Sequence, residues 1–318
     1  MKTELSIITV SFNTEEITLN CLNSILKNTK GVDYEIIVVD NGSKDNSVKA
    51  LKRLANDNPQ IKLIEAGENL GFGKANNLGA GNAKGEYLLF LNSDTFVIDN
   101  AIKEALNFAK TKKDLGVYSC RLLNPDHTTQ PSGGHFPNLF NLFAWQFFID
   151  DLPLVGDLFK SIHPHEQGFF FLDRLTKNKK QKSRFTQREK YPDWVMGAFM
   201  MVEKSVFDKA GGFDENIFMY TEEMELTYRI RKLGLKTYYR NTPAIIHLGG
   251  ASGGSHLALT SEVKYMIYFW KKHRPHWQLP LVKFAFFTGS LLRLLLFGII
   301  KGDEKSRKTY TQAIKFLI

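Results

Sequence analysis

Apolar residues follow two alternating rhythms over the first hundred positions. Residues 5–11, 34–40, 61–65 and 86–92 are almost continuously apolar, the pattern of strands buried on both faces. Between them apolar positions recur at helical spacing. Ile17, Cys21, Leu22, Ile25 and Leu26 form one stripe, and Val48, Leu51 and Leu54 form another. Asn13 followed by Glu16 predicts a capping box where the first helix starts. A Gly/Asn-rich stretch, 69–81, precedes the fourth strand. Strands alternating with helices predict an α/β fold with a mainly parallel sheet flanked by helices, an architecture suited to nucleotides.

The rhythm is lost from about residue 131 to 192. Residues 136–148 are rich in aromatics, and 174–190 hold eight Lys or Arg against one acid, Glu189. This stretch reads as an irregular insertion with a basic loop. Regular patterning resumes with a strand at 197–202, a helix from Glu203, a helix at 222–233, and strands near 236–239 and 244–247. From Ser261 the pattern is helical and ends in a strongly apolar stretch, 279–300. The expected organisation is an α/β domain over 1–255 and a helical appendage over 256–318.

Composition narrows the partners. The 318 residues are 43% hydrophobic and 24% charged, which is globular, and the net charge of +9 favours phosphates, nucleic acid or acidic lipid. Nucleic acid fits poorly, because the excess charge sits in one loop and the tail, without interleaved aromatics or a reading helix. Cys21 lies on an apolar stripe and is expected to be a buried structural thiol; with Cys120 it makes no disulfide framework or metal spacing. The chain runs straight into a strand-like segment, so a cytoplasmic location is expected. Stretch 279–300 nearly reaches the length needed to cross ~30 Å of hydrocarbon, but Lys283 and Arg293 interrupt it. Two readings follow: an interfacial helix whose neighbours Lys271, Lys272, His273 and Arg274 face anionic headgroups, or a core helix that closes the domain.

Chemistry concentrates at strand ends. The first strand ends in Thr9, Ser11 and Asn13, the second in Asp40-Asn-Gly-Ser43, and the fourth in Asn92-Ser-Asp94. Any one of these could be a turn former or helix cap. Three at the carboxyl ends of one sheet point to a ligand, with Asp40 on a base or ribose and Asp94 meeting a diphosphate through a cation. The turn after strand one, Ser11-Phe-Asn-Thr14, has no glycine, Gly71-Phe-Gly73 lacks the third glycine at its spacing, and no Walker A sequence occurs. A divalent cation is therefore the expected phosphate holder.

These residues resemble family 2 glycosyltransferases, most closely a bacterial rhamnosyltransferase-like branch, over roughly residues 4–255. The resemblance runs through Ser6–Asn13, Val38–Ser43, Asn69–Gly73 with Asn76 and Asn77, Leu91–Asp94, Gly211-Gly-Phe-Asp-Glu215, 218–226 and His247, in the family's order. It implies a GT-A-type fold, a nucleotide-diphosphate sugar donor, Mn²⁺ or Mg²⁺, and inversion at the anomeric carbon. It implies that Thr9, Ser11, Asn13 and Asp40 line the donor pocket, with Asn41, Ser43, Asn69, Gly71, Asn76 and Asn92 in the donor-binding motifs. Asn92-Ser93-Asp94 stands at the Asp-x-Asp motif with Asn first, which leaves Asp94 as direct metal ligand. His247 is similar to a second ligand that tilts the preference towards Mn²⁺, or else is a buried histidine at a strand end.

Glu222, Glu223 and Glu225 replace Glu-Asp-x-Asp, which implies Glu223, beside Glu222, as the base for the acceptor hydroxyl; acids in a first helical turn are also favourable for stability alone. Arg229 and Arg231 either offset diphosphate charge or face solvent. Gln181-Lys-Ser-Arg-Phe185 departs from the signature of processive synthases, so single-sugar addition is expected, onto a lipid-linked or cell-surface glycan at the inner face of the membrane. An inactive nucleotide-sugar-binding protein is the alternative.

Overall fold

The computed structural model describes residues 3–152, 158–163, 191–249 and 255–318. The basic run 174–190, with its Gln181–Phe185 segment, lies outside them. The chain divides into two compact units: Met1–Gly133, Thr186–Phe218 and Glu222–Ser252 in one, and Gly134–Phe185, Met219–Thr221 and Gly253–Ile318 in the other. Residues 134–163 of the expected insertion thus group with the C-terminal helices.

In chain order the elements are β1 (Leu5–Ser11), α1 (Glu15–Asn28), β2 (Tyr34–Asp40), α2 (Ser47–Asp57), β3 (Ile61–Glu65), α3 (Phe72–Gly81) and β4 (Tyr87–Leu91). Next come β5 (Thr95–Val97), α4 (Ala101–Lys110), β6 (Leu115–Leu123), β7 (Thr129–Gln130) and α5 (Leu139–Gln146). After them follow β8 (Phe199–Glu203), α6 (Lys204–Ala210), α7 (Glu222–Lys232) and β9 (Lys236–His247).

In the first unit the sheet order is β3-β2-β1-β4-β8-β6-β9-β5, with β7 on β6. The first four strands are parallel, as the largely apolar runs of β1, β2 and β4 lead one to expect, with the half-exposed β3 at the edge. Beyond β4 the sheet is mixed: β8 enters antiparallel between β4 and β6, and β6 and β9 run parallel. Ile7, Ile36, Val38 and Leu89 pack with α1, α2 and α4 on one face, while Ile8, Ile37, Val39, Leu88 and Phe90 pack with α3, α6 and α7 on the other.

Three local expectations change. The capping box does not form: Thr14 is the N-cap of α1, its hydroxyl meets Thr18 Oγ1 at 3.0 Å, and Asn13 turns away at φ 54°. The Gly/Asn stretch becomes α3, because its glycines permit close packing; a Cβ at Gly79 would meet Ile8 Cγ2 at 2.5 Å. The two strands near 236–239 and 244–247 are one strand, β9, with a register shift opposite Cys120 and Arg121. Cys21 is fully buried, and burial pushes its thiol up to about 11, as a structural cysteine requires.

The second unit is helical: α5, α8 (Ser255–His273), a 3-10 turn at His276–Gln278, α9 (Leu279–Arg293), a π-helical continuation Leu294–Ile300, and α10 (Glu304–Leu317). Arg293 does not interrupt the apolar helix from outside. Its guanidinium donates to the carbonyls of Trp145 (2.7 Å) and Gln146 (2.5 Å) at the end of α5, and lies 4.2 Å from the Phe148 ring centre. The helix His276–Ile300 is long and apolar enough to cross a membrane, and a third of its most apolar window is buried.

Candidate active site

The parallel strands β1, β2 and β4 deliver their carboxyl ends to one sheet edge, and Ser11 registers with Asp40 there. Asp40 is 2% exposed. Its Oδ2 accepts from the Gly42 (3.2 Å) and Ser43 (3.0 Å) amides, which pins the turn, while its buried Oδ1 has no hydrogen-bond partner among the described residues. A buried carboxylate oxygen left this way costs free energy unless a ligand donor meets it. Asn13 ties the two strand ends together: its amide donates to Ser43 Oγ (2.9 Å), and its Oδ1 accepts from the Lys44 amide (2.7 Å).

The other predicted donor-site residues are more deeply engaged. Ser11 is buried against Thr18 Oγ1 at 3.0 Å, and Thr9 is fully buried with a hydroxyl that has no partner among the described residues. Asn41 Nδ2 donates to Asn69 Oδ1 (3.0 Å) and to the Gly71 carbonyl (3.3 Å), and Asn41 Oδ1 accepts from the Leu70 amide (2.9 Å). Asn76 bonds back to the Phe72 carbonyl at 3.0 Å. Gly71 has φ 80°, and a Cβ there would meet the Phe218 carbonyl oxygen at 2.3 Å. These groups shape the loop that borders Asp40.

Asp94 follows β4, and β9 brings His247 beside it because His247 registers with Thr95. Both are about 5% exposed, with His247 Nε2 3.3 Å from Asp94 Oδ1. Gln130 decides the imidazole tautomer. Its Nε2 donates to Asn124 Oδ1 and to the His247 carbonyl, each at 2.7 Å, so its Oε1 must face His247 Nδ1 at 2.8 Å. Nδ1 therefore carries a proton, and the Nε2 of a neutral ring turns its lone pair on a carboxylate oxygen. Two buried acceptors at that separation need a cation between them, either a proton or a metal. The residues therefore fit a divalent metal. Among the described residues no group of three or more His, Cys, Asp or Glu is clustered for a metal, so two protein ligands plus phosphate and water is the set available.

Asn92 bonds through its amide to the Ala198 carbonyl (3.3 Å), which links this corner to the start of β8. One residue earlier, the Gly197 amide donates to Glu223 Oε1 at 2.8 Å. A Cβ on Gly197 would meet that oxygen at 2.7 Å and the Phe72 ring at 2.8 Å, so glycine is required for the carboxylate to sit there. Glu222, beside it on α7, is 2% exposed, and its Oε2 has no hydrogen-bond partner among the described residues. Burial first, and the Glu223 charge second, hold the Glu222 carboxyl well above the usual range. Burial also raises Glu223, opposed by amide hydrogen bonds from its own backbone and Gly197.

The third acid differs. Glu225 is fully buried and paired with Arg229, whose Nε lies 2.9 Å from both carboxylate oxygens; Arg229 also donates to the Ala210 and Gly212 carbonyls. Arg231 pairs with Asp193 at 3.0 Å. Arg229 is thus committed to structural partners, whereas Arg231 pairs with Asp193 and keeps 40% of its side chain in solvent. Gln130 and Gly197 were not read from the sequence. Neither carries a local signal, since each acts on a residue more than twenty positions away.

Two solved structures share the fold. A mannosyltransferase from Pyrobaculum calidifontis, in complex with GDP-Man and Mn²⁺, covers 100% of this chain and 85% of its own at 15% identity and TM-score 0.56. GalNAc-T7, with UDP, GalNAc and Mn²⁺, covers 99% and 56% at 17% identity and TM-score 0.61. The architecture is therefore the GT-A glycosyltransferase fold. Residues 6–194 match the pattern of Glycosyl transferase family 2, more than half of the chain, and the protein belongs to that family.

Among relatives, an N-acetylglucosaminyl-diphospho-decaprenol L-rhamnosyltransferase of Mycobacterium tuberculosis is 27% identical over 77% of this chain and 78% of its own. The O-antigen biosynthesis protein RfbC of Myxococcus xanthus is 26% identical over 78% of this chain and 18% of its own. The protein is a glycosyltransferase that draws on a nucleotide sugar.

Proposed function

We propose that this enzyme adds a single sugar, with inversion, from a nucleoside-diphosphate donor to a hydroxyl of a lipid-linked glycan at the cytoplasmic face of the membrane. The observation that carries the reading is the pairing of two sites at one sheet edge: an Asp94–His247 couple that needs a cation, and a Glu222–Glu223 pair that holds protons to higher pH. Asp40 Oδ1 would accept a hydrogen bond from the donor's base or ribose. Asp94 and His247 would hold Mn²⁺ or Mg²⁺. When bound, that ion neutralises the diphosphate as it leaves.

Glu223 would take the acceptor's proton while the acceptor oxygen forms its bond to the anomeric carbon and the bond to the diphosphate breaks. A carboxylate whose pKa is raised by burial is better matched to that task than a solvated one. Gly197 holds the base through its amide, and Gln130 holds the imidazole. The lipid-linked acceptor rests on the relative that acts on a diphospho-decaprenol and on the basic C-terminal segment. The membrane location rests on the apolar helix within that segment.

A thermal-shift panel of nucleoside diphosphates and nucleotide sugars, with and without Mn²⁺, tests the reading. One nucleotide should stabilise the protein in a metal-dependent way, by about 2.7 kcal/mol at a hundred times Kd. Asp94→Ala should lose that effect, and EDTA should abolish transfer. Full activity in EDTA would overturn the metal role, and no response to any nucleotide would overturn the donor site.

A further inference from the structure

The second unit contains a cavity of about 550 Å³ lined mainly by Phe140, Phe143, Ile149, Phe159 and Trp277, with Arg274 as its cationic member. That volume falls within the ~300–1,000 Å³ of small-molecule sites. Two of its aromatics are wide open to solvent: Phe140 is 81% exposed and Trp277 66%. Arg274 is fixed in place, its Nη2 donating to the Pro137 carbonyl at 2.7 Å.

The surroundings restrict what can enter. From Trp277 the exposed apolar residues Leu281, Phe284, Leu291, Leu295 and Ile299 recur at helical spacing, one uninterrupted face leading away from the cavity. Inward-turned Arg293 leaves that face free of its charge. Residues 255–318 hold eleven Lys or Arg against three acids, a strong cationic excess. A second copy would bring the same cations against themselves. An anionic lipid would not, because its chain suits the aromatic lining and its phosphate suits the guanidinium.

We propose that this cavity takes the first isoprenoid units of a polyprenyl-diphosphate-linked acceptor, with the phosphate on Arg274 and the remaining chain following the apolar face into the bilayer. The inference rests on the transferase reading for the acceptor's being a polyprenyl-diphosphate-linked lipid. It adds the place where that lipid is held.

The test is calorimetric titration of the full chain with farnesyl diphosphate, free of detergent and with EDTA present so that the metal site cannot bind the diphosphate. Saturable binding is expected, with no heat from inorganic pyrophosphate. Phe140→Glu and Trp277→Glu should each weaken it about tenfold or more, because a carboxylate would line an apolar cavity. Both side chains are largely exposed, so both variants should keep the fold and their metal-dependent nucleotide stabilisation. Wild-type affinity in both variants, or no binding at all, would overturn the proposal. Dodecyl phosphate binding as tightly as farnesyl diphosphate would overturn the isoprenoid assignment in favour of bulk lipid. If nucleotide stabilisation persists while farnesyl diphosphate is ignored, only the cavity assignment falls; the converse result removes the transferase reading instead.

Discussion

Glu223→Gln is the most informative perturbation of the catalytic edge. The amide keeps the shape of the side chain and still offers Oε1 to the Gly197 amide, now 2.8 Å away, so the start of β8 should be undisturbed. Only the proton acceptor is lost. A general base contributes ~10²–10⁴ in rate, and at ~1.36 kcal/mol per decade the barrier should rise by about 2.7–5.4 kcal/mol. The neighbour bears on where in that range the result falls. The Glu223 charge helps to raise Glu222, so removing it lets Glu222 ionise more readily and take over part of the task. The single variant should therefore fall near the lower end of the range, and the double Gln variant near the upper.

The assay is release of the nucleoside diphosphate, with kcat and donor KM determined separately across pH. Donor KM should hardly change, and the rise of kcat/KM through the raised carboxylate pKa should be lost in the double variant. Gly197→Ala is a second perturbation with no change of charge: its Cβ would displace the carboxylate, and a misplacement of ~1 Å can cost ~10²-fold. A Gln variant with wild-type kcat, or one whose only defect is donor KM, would refute the assignment of Glu223.

Two further expectations follow from the hydrogen bonds and titrations. Gln130→Leu removes the acceptor that fixes the His247 tautomer, and Mn²⁺ affinity, read by magnetic resonance of the free ion in the presence of a nucleoside diphosphate, should fall ~10–100-fold. Because Glu222 is raised above its unfolded value, the folded chain keeps a proton that the unfolded chain releases. That contribution is complete below the unfolded pKa of ~4.3 and is lost as pH rises through the higher folded value. Glu222→Gln should therefore melt several degrees above wild type at pH 8 and much closer to it at pH 5. An equal difference at both pH values would show that the cost is not ionic.

β1, β2 and β4 were legible because a strand covered on both faces has to be largely apolar, and β1, β2 and the edge strand β3, with Lys62 and Glu65 exposed, matched their expected bounds. Asp40 and Asp94 could be found as acids at strand ends. What escaped depended on contacts between distant segments. β6 was passed over between helix-like stretches, and β7, which supplies Gln130, is only two residues long. Asn13 satisfied a local capping pattern, but the Lys44 amide and Ser43 hydroxyl recruited it instead. Arg229 was open to either a diphosphate or a solvent role, yet its partner Glu225 one turn away is completely buried, which periodicity alone cannot reveal.

The glycines of α3 bear on how this protein can be stabilised by design. Replacing a helical glycine with alanine gains up to ~1 kcal/mol where the site is open. Gly81 qualifies, since nothing lies within 4 Å of the Cβ it would acquire. Gly79 would drive a methyl group to 2.5 Å from Ile8 Cγ2, and Gly73 would press on the Phe213 Cβ at 3.0 Å. An engineer who optimised this helix by propensity alone would wedge it off the sheet, and with it the Gly71 loop beside Asp40. Thermostability and donor binding would then decline together.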